Sequence, residues 1–142
     1  MVTIRQANAR HCDVLANLAA QLGYPASAEQ IRRRLAALAP DLCAVLVAEL
    51  DGEVVGFVHV GCKTSILVES SAELRGLVVA EGRRGGGVGR ALLQAAEGWA
   101  VEHGCEQMDV STNVIRAGAH AFYGRLGYEA YKESVRFRKS LR

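Results

Sequence analysis

Long apolar runs are missing from this 142-residue chain. The longest, Leu42 to Ala48, falls far short of the ~20 residues a membrane-spanning helix needs, so no membrane partner is expected. Met1-Val2-Thr3-Ile4-Arg5 also lacks the apolar stretch of a secretory signal. Charge of one sign is scarce: 17 Lys and Arg against 15 Asp and Glu leave a net +2, too little for a nucleic-acid footprint. Basic residues do bunch at 32–34, 83–90 and 136–142, and by default each bunch reads as a solvated face. The four cysteines (Cys12, Cys43, Cys62 and Cys105) form no CxxC and flank no His pair, which argues against zinc or thioredoxin-like chemistry; no metal is expected. Cys43 and Cys105 lie in or beside apolar segments and read as small core residues. Free thiols of this kind suit a reducing compartment, so a cytoplasmic location is expected. No repeat, low-complexity tract or linker interrupts the chain. It reads as one domain over residues 1–142, long enough to bury about two-thirds of its unfolded surface.

Half of the residues are hydrophobic, and their spacing orders the elements. Val2–Gln6 alternates as a strand. Val14, Leu15, Leu18 and Leu22 mark a helical face ended by Gly23 and Pro25. Ser27-Ala28-Glu29-Gln30 has capping-box spacing and opens a second helix that stops before Pro40. Cys43–Leu50 and Glu53–Val60, joined by Asp51-Gly52, predict a hairpin. Ala72–Val79 is a further strand. A helix follows from Gly87 to His103, with Val88, Leu92, Ala95 and Trp99 as its apolar stripe. Gln107–Ser111 reads as a strand, Arg116–Leu126 as a helix closed by Gly127, and Tyr128–Tyr131 with Val135–Arg138 as a last strand pair. The order β-α-α-β-β-β-α-β-α-β-β implies an α/β (α+β) fold with a mixed sheet covered by helices.

Four glycines fall in Gly85-Gly86-Gly87-Val88-Gly89, between a strand and an amphipathic helix, with Arg83, Arg84 and Arg90 around them. Such a turn lets a ligand approach the main chain, and the helix N-terminus presents N–H groups suited to phosphate or pyrophosphate. A P-loop requires Gly-Lys-Ser/Thr where this chain has Gly89-Arg90-Ala91, so triphosphate hydrolysis is disfavoured. A Rossmann fingerprint requires a third glycine where Arg90 stands, and would lie near the first strand rather than past mid-chain.

Arg84-Gly85-Gly86-Gly87-Val88-Gly89 resembles the acyl-CoA pyrophosphate loop of the GNAT superfamily of N-acyltransferases, whose pattern is Arg/Gln-x-x-Gly-x-Gly/Ala. Further on, Ala119-His120-Ala121-Phe122-Tyr123-Gly124-Arg125-Leu126-Gly127-Tyr128 is similar to that family's A-x-x-F-Y-x-x-x-G-F/Y segment. The element order matches as well, so the resemblance covers nearly the whole chain. It implies a GNAT-like, mostly antiparallel central sheet flanked by helices, and transfer of the acetyl group of acetyl-CoA to a primary amine.

By this resemblance the cofactor pyrophosphate lies on residues 84–90 (Arg84, Gly85, Gly86, Gly87, Val88, Gly89 and Arg90). The pantetheine runs between the strand ending at Val79 and the one ending near Ser111, which the family splays apart. The family has a β-bulge near the end of the former strand. A backbone N–H of Leu77-Val78-Val79, at Val79 or its neighbour, would polarise the thioester carbonyl; the same residues also read as plain buried strand.

The acceptor amine must lose a proton before attack, and Glu73 is the candidate base, sharing a face with Arg75 and Leu77 by period-two alternation. An exposed carboxylate at a strand entrance is the equal alternative, and Glu69 is a substitute. The resemblance gives Tyr123 the role of donor to the departing sulfur; packing against Phe122 is the competing reading. A phenol of pKa ~10 facing a thiol of ~8.5 is an uphill donor by about 2 kcal/mol, so stabilising the sulfur matters more than full protonation. Where the family often has an asparagine before this tyrosine, the chain has Arg116, with Asn113 upstream. Either one contacts cofactor or substrate, or Asn113 caps the next helix and Arg116 meets water. The fold's usual acceptor site, at the two N-terminal helices and the loop 61–71, points to Tyr24 and Glu69 as substrate contacts; helix-turn packing and a solvated loop are the equal alternatives. A small-molecule amine is the expected acceptor; a protein lysine or N-terminus, or a non-catalytic acyl-CoA-binding module, are the alternatives. Many family members dimerise through C-terminal strands, which points to Val135–Phe137 for a homodimer.

Overall fold

The computed structural model describes residues 1–112 and 117–142, which form two units, Met1–Ser111 and Thr112–Arg142. In the first unit β1 is Val2–Gln6, α1 Cys12–Leu22, α2 Ala28–Ala36, β2 Cys43–Leu50, β3 Glu53–Lys63, β4 Ser71–Val79, α3 Val88–Glu102 and β5 Met108–Val110. The sheet order is β1-β2-β3-β4-β5. The first four strands are antiparallel neighbours, and β5 is parallel to β4 because α3 carries the chain back between them.

Local chemistry explains most boundaries. Ser27 Oγ accepts from the Gln30 N–H at 3.1 Å while the Ser27 N–H donates to Gln30 Oε1 at 2.9 Å, so the capping box forms in full. The β2–β3 turn has positive φ at both Asp51 (54°) and Gly52 (79°), as a tight two-residue hairpin demands.

The core lies mainly between α3 and the sheet. Val47, Val58, Val60 and Leu92 are 0% exposed. The buried face of α3 is Val88, Leu92, Leu93, Ala96 and Ala100. Ala95 and Trp99 sit at its rim; the Trp99 ring stacks on His103, their centroids 4.0 Å apart. On α1, Cys12, Leu15 and Leu18 are buried.

The second unit contains α4, Ala117–Arg125. The last strand pair expected from the sequence is absent: residues 128–142 have no regular secondary structure, and every described strand lies before Ser111. A strand persists only where a neighbour completes its ladder. Here Tyr131, Val135 and Phe137 are 68%, 79% and 94% exposed and bury no apolar face, so nothing repays their ordering. Among the described residues no helix is long and apolar enough to cross a membrane.

Candidate functional site

The glycine-rich turn joins β4 to α3. Gly85 and Gly87 both have φ of +86°, and Gly87 is the left-handed N-cap of α3. A Cβ at either position would meet nothing within 4 Å, so it is the backbone conformation, not crowding, that requires glycine there. No side chain caps α3, and Ala91 is the first residue to return a helical bond, to the Gly87 carbonyl at 3.0 Å. The N–H groups of the first turn therefore lie at an exposed glycine surface, at the positive end of the helix dipole.

Three contacts hold the turn to its surroundings. Arg84 Nε donates to the Val79 carbonyl at 3.2 Å, Arg83 pairs with Glu53 at 3.1 Å, and the Glu81 N–H donates to Gln21 Oε1 at 3.0 Å. Exposed as they are, these bonds orient the turn more than they stabilise the fold.

Beside the turn, β4 has a half-used edge. Its ladder with β5 covers only Ala72–Leu74 against Met108–Val110, and from Arg75 to Val79 it has no strand partner on that side among the described residues. Alternate residues of that segment turn their main-chain N–H and C=O groups away from β3, so the edge can pair with an extended ligand, as an exposed sheet edge does. A bulge falls where the ladder ends: His59 pairs with Gly76 and Val60 with Leu74, leaving Arg75 as the extra residue. The expected bulge is thus on β4, but at Arg75 and not at Val79. The difference is tertiary: Gly61, opposite Glu73, leaves the space that the Arg75 guanidinium fills.

The bulge also corrects the facing of the strand. Ladder partners project to the same side. Leu77 pairs with Val58 and Leu74 with Val60, which puts both on the α3 side, where Gly56 meets Leu92 and Val88. Glu73 pairs with Gly61, Gly76 with His59 and Val78 with Phe57, on the opposite side. Glu73 and Arg75 do share a face, joined by a 2.9 Å ion pair, but Leu77 does not share it, because the inserted residue reverses the alternation. Asp109 of β5, opposite Glu73, makes a 3.8 Å ion pair with Lys63.

His59 belongs to this polar face and was not singled out in the sequence. Its Nε2 is buried with no hydrogen-bond partner among the described residues. Burial lowers its pKa below the usual 6.5, the Arg75 charge lowers it further, and Glu73 partly opposes them. The unfolded chain then binds more protons than the folded one once pH drops below about 6.5, so stability present above that pH is lost as pH falls through the folded value. Urea midpoints should drop between pH 7.5 and 5.5, and His59→Gln should flatten that dependence. An unchanged pH slope in the variant would show that His59 is not the group responsible.

In the second unit Tyr123 is set by the end of α4. The Tyr128 N–H donates to the Tyr123 carbonyl at 3.0 Å and the Gly127 N–H to the Gly124 carbonyl at 3.2 Å, with Gly127 at φ of +92°. This is a Schellman motif, accompanied by edge-on contact of the Tyr123 and Tyr128 rings at 5.7 Å. The Phe-Tyr-x-x-x-Gly-Tyr spacing is therefore a helix stop that fixes the tyrosine. Phe122 packs edge-on against Tyr123 at 5.1 Å, so the packing role is also real. Burial raises the pKa of the Tyr123 phenol above 10 and keeps it protonated, as a hydrogen-bond donor must be.

Of the remaining sequence candidates, Tyr24 is 67% exposed just past α1. Glu69 lines an open groove of about 690 Å³ with Ser65–Ser70, Glu106 and Gln107. This groove lies at the N-terminal end of β4, and the glycine-rich turn at its C-terminal end. Asn113 and Arg116 lie outside the described residues.

Residues 12–128 match the model of the Acetyltransferase (GNAT) family. The chain belongs to this family. The acetyltransferase is 34% identical over 144 residues to the aminoglycoside N(6')-acetyltransferase type 1 of Stenotrophomonas maltophilia, covering 98% of this chain and 94% of that one. It is 37% identical over 92 residues to the aminoalkylphosphonate N-acetyltransferase of Salmonella typhimurium, covering 64% of this chain and 58% of that one. Its fold superposes with a TM-score of 0.80, at 26% identity and 99% coverage of both chains, on the aminoglycoside acetyltransferase AAC(6')-Iy in complex with the bisubstrate analogue CoA-S-monomethyl-acetylneamine. The mixed sheet of this acetyltransferase, five strands and mostly antiparallel with flanking helices, is thus the GNAT architecture.

Proposed function

We propose that this acetyltransferase moves the acetyl group of acetyl-CoA to a primary amine of a small molecule by direct attack on the thioester. The observation that carries the reading is the uncapped N-terminal turn of α3, opened by Gly85 and Gly87 at the end of a half-paired strand. That turn fits a pyrophosphate, with Arg84, Gly86, Val88, Gly89 and Arg90 completing the cradle. The family match spans both units, which supports treating residues 1–142 as one acetyltransferase domain. The relatives named above act on aminoglycosides and an aminoalkylphosphonate, and these support a small amine as acceptor.

In this reading the free edge of β4 over Leu77, Val78 and Val79 holds the extended arm of the cofactor and turns a main-chain N–H toward the thioester carbonyl. Glu73, steered by Arg75, takes the proton of the acceptor ammonium directly or through water. Tyr24 and Glu69 contact the acceptor, and Asn113 and Arg116 the cofactor or substrate. Tyr123 gives its hydrogen bond to the departing sulfur. The exposed Val135 and Phe137 support a homodimer contact at the C-terminus.

Release of free thiol from acetyl-CoA, followed with a panel of aminoglycosides, polyamines, aminoalkylphosphonates and amino-terminal peptides, tests the proposal. Turnover confined to the small amines supports it; turnover on peptides alone, or tight coenzyme A binding with no turnover at all, overturns it. In the same assay Tyr123→Phe should lower kcat by about one order of magnitude, the equivalent of one hydrogen bond to a charged group, because a thiolate also leaves unaided. A wild-type rate in the variant would assign Tyr123 to packing alone.

A further inference from the structure

Cys62 on β3 and Cys105 in the turn between α3 and β5 bring their sulfurs to 3.8 Å. They are far apart in sequence, and the contact is created by the fold. Cys62 is opposite Ala72 of β4, whose N–H donates to the Gln107 carbonyl at 2.8 Å. The two thiols therefore meet beside the start of β4, where β3 and the approach to β5 flank it. Neither of the other cysteines has such a neighbour among the described residues: the Cys43 thiol turns to the Ala39 carbonyl at 3.6 Å, and Cys12 is buried in α1.

We propose that Cys62 and Cys105 form a redox modification site that a peroxide closes to an intramolecular disulfide. A disulfide requires sulfurs about 2.05 Å apart, so closure needs an approach of under about 2 Å. Cys62 is anchored in the ladder, whereas Cys105 lies in the non-helical turn just after Gly104, so the turn supplies the movement.

Cys62 is half-buried and Cys105 only 8% exposed, so the oxidant reaches Cys62 first. The Cys62 thiolate attacks one peroxide oxygen; the O–O bond breaks, leaving a sulfenic acid and, once protonated, water. Cys105 then loses its proton and attacks the Cys62 sulfur. The S–O bond breaks and the hydroxide leaves as water with that proton. Two thiols give up two hydrogens and two electrons, and one peroxide becomes two waters. Burial, followed by the neighbouring Cys62 thiol, raises the Cys105 pKa, so the second step quickens as pH rises. The product ties β3 to the turn before β5 across the first residues of β4, beside the groove lined by Ser65–Ser70, Glu106 and Gln107.

The test treats the wild-type protein with hydrogen peroxide, then counts free thiols and maps peptides without reduction. The expected result is a fall from four free thiols to two, a mass loss of about 2 Da in a monomer, a 62–105 linked peptide and full reversal by dithiothreitol. Hydrogen exchange through residues 103–107 should slow in the oxidised form. Cys62→Ser and Cys105→Ser should each form no intramolecular disulfide, while the Cys12→Ser, Cys43→Ser double variant should still form it. Four persisting thiols, a dimer linked through Cys62, a different pair in the map, or unchanged exchange at 103–107 would overturn the proposal. None of these readouts depends on turnover, and the wild-type map stands even if a variant fails to fold.

Discussion

Gly87→Asp should weaken coenzyme A binding about 100-fold, measured by titration calorimetry on folded protein, with little change in the urea midpoint. Gly87 is the N-cap of α3 at φ of +86°, and a Cβ there points into open space. Aspartate therefore meets no clash, and its cost is the left-handed backbone, about 1 kcal/mol. A carboxylate is also a favoured N-cap that can bond the free N–H groups of the first turn, which offsets that cost. The same bond removes those donors from a phosphate and puts a negative charge in its place. Losing charge-assisted bonds worth about 2–3 kcal/mol corresponds to roughly 30- to 160-fold in affinity. Gly87→Ala, which brings the strain without the charge, should lose much less. Arg84→Glu should act in the same direction by a second route, because it reverses a charge and breaks the bond from Nε to the Val79 carbonyl. Unchanged affinity in both Gly87→Asp and Arg84→Glu would remove the phosphates from this turn.

Leu92→Ala should destabilise the fold by about 3–4 kcal/mol, read from urea denaturation with coenzyme A absent. Leu92 is 0% exposed and lies on the buried face of α3. Beneath it is Gly56, where a Cβ would come within 3.0 Å of the Leu92 Cδ1 atom and 2.7 Å of the Val78 carbonyl oxygen. The leucine thus fills the space of the absent glycine side chain. Truncating it exposes bare strand backbone that has no side chain to collapse into the hole. Poorly relaxing sites lie in the upper part of the range for such substitutions. Val101→Ala, at a position 72% exposed on the same helix, should change stability by less than about 0.5 kcal/mol. Similar losses at the two positions would contradict the α3 packing described here.

The sequence carried the parts of this molecule that are written in a few adjacent residues. Asp51-Gly52 specifies its turn, Ser27 and Gln30 their reciprocal cap, and Gly127 the stop that sets Tyr123. The glycine-rich turn was legible for the same reason: left-handed dihedrals and uncapped helix amides depend on the residues that bear them. Both family motifs are of this local kind, which is why the family could be read from the sequence.

Other features depend on partners distant in the chain. Period-two alternation placed Leu77 with Glu73, and the bulge at Arg75 moved it to the other face. That bulge accompanies a guanidinium filling the space over Gly61, and no window of adjacent residues shows it. His59 has a buried nitrogen with no hydrogen-bond partner among the described residues, and the Arg75 and Glu73 charges act on it only through the fold. The terminal strands failed in the same way, since β-rich composition does not provide a ladder partner. By itself the sequence determined the turns, the caps, the left-handed glycines at the start of α3 and the family. The tertiary structure alone decided which face each β4 residue takes and which sulfurs meet, because register, bulges and burial arise from contacts between strands and helices that the local chain does not encode.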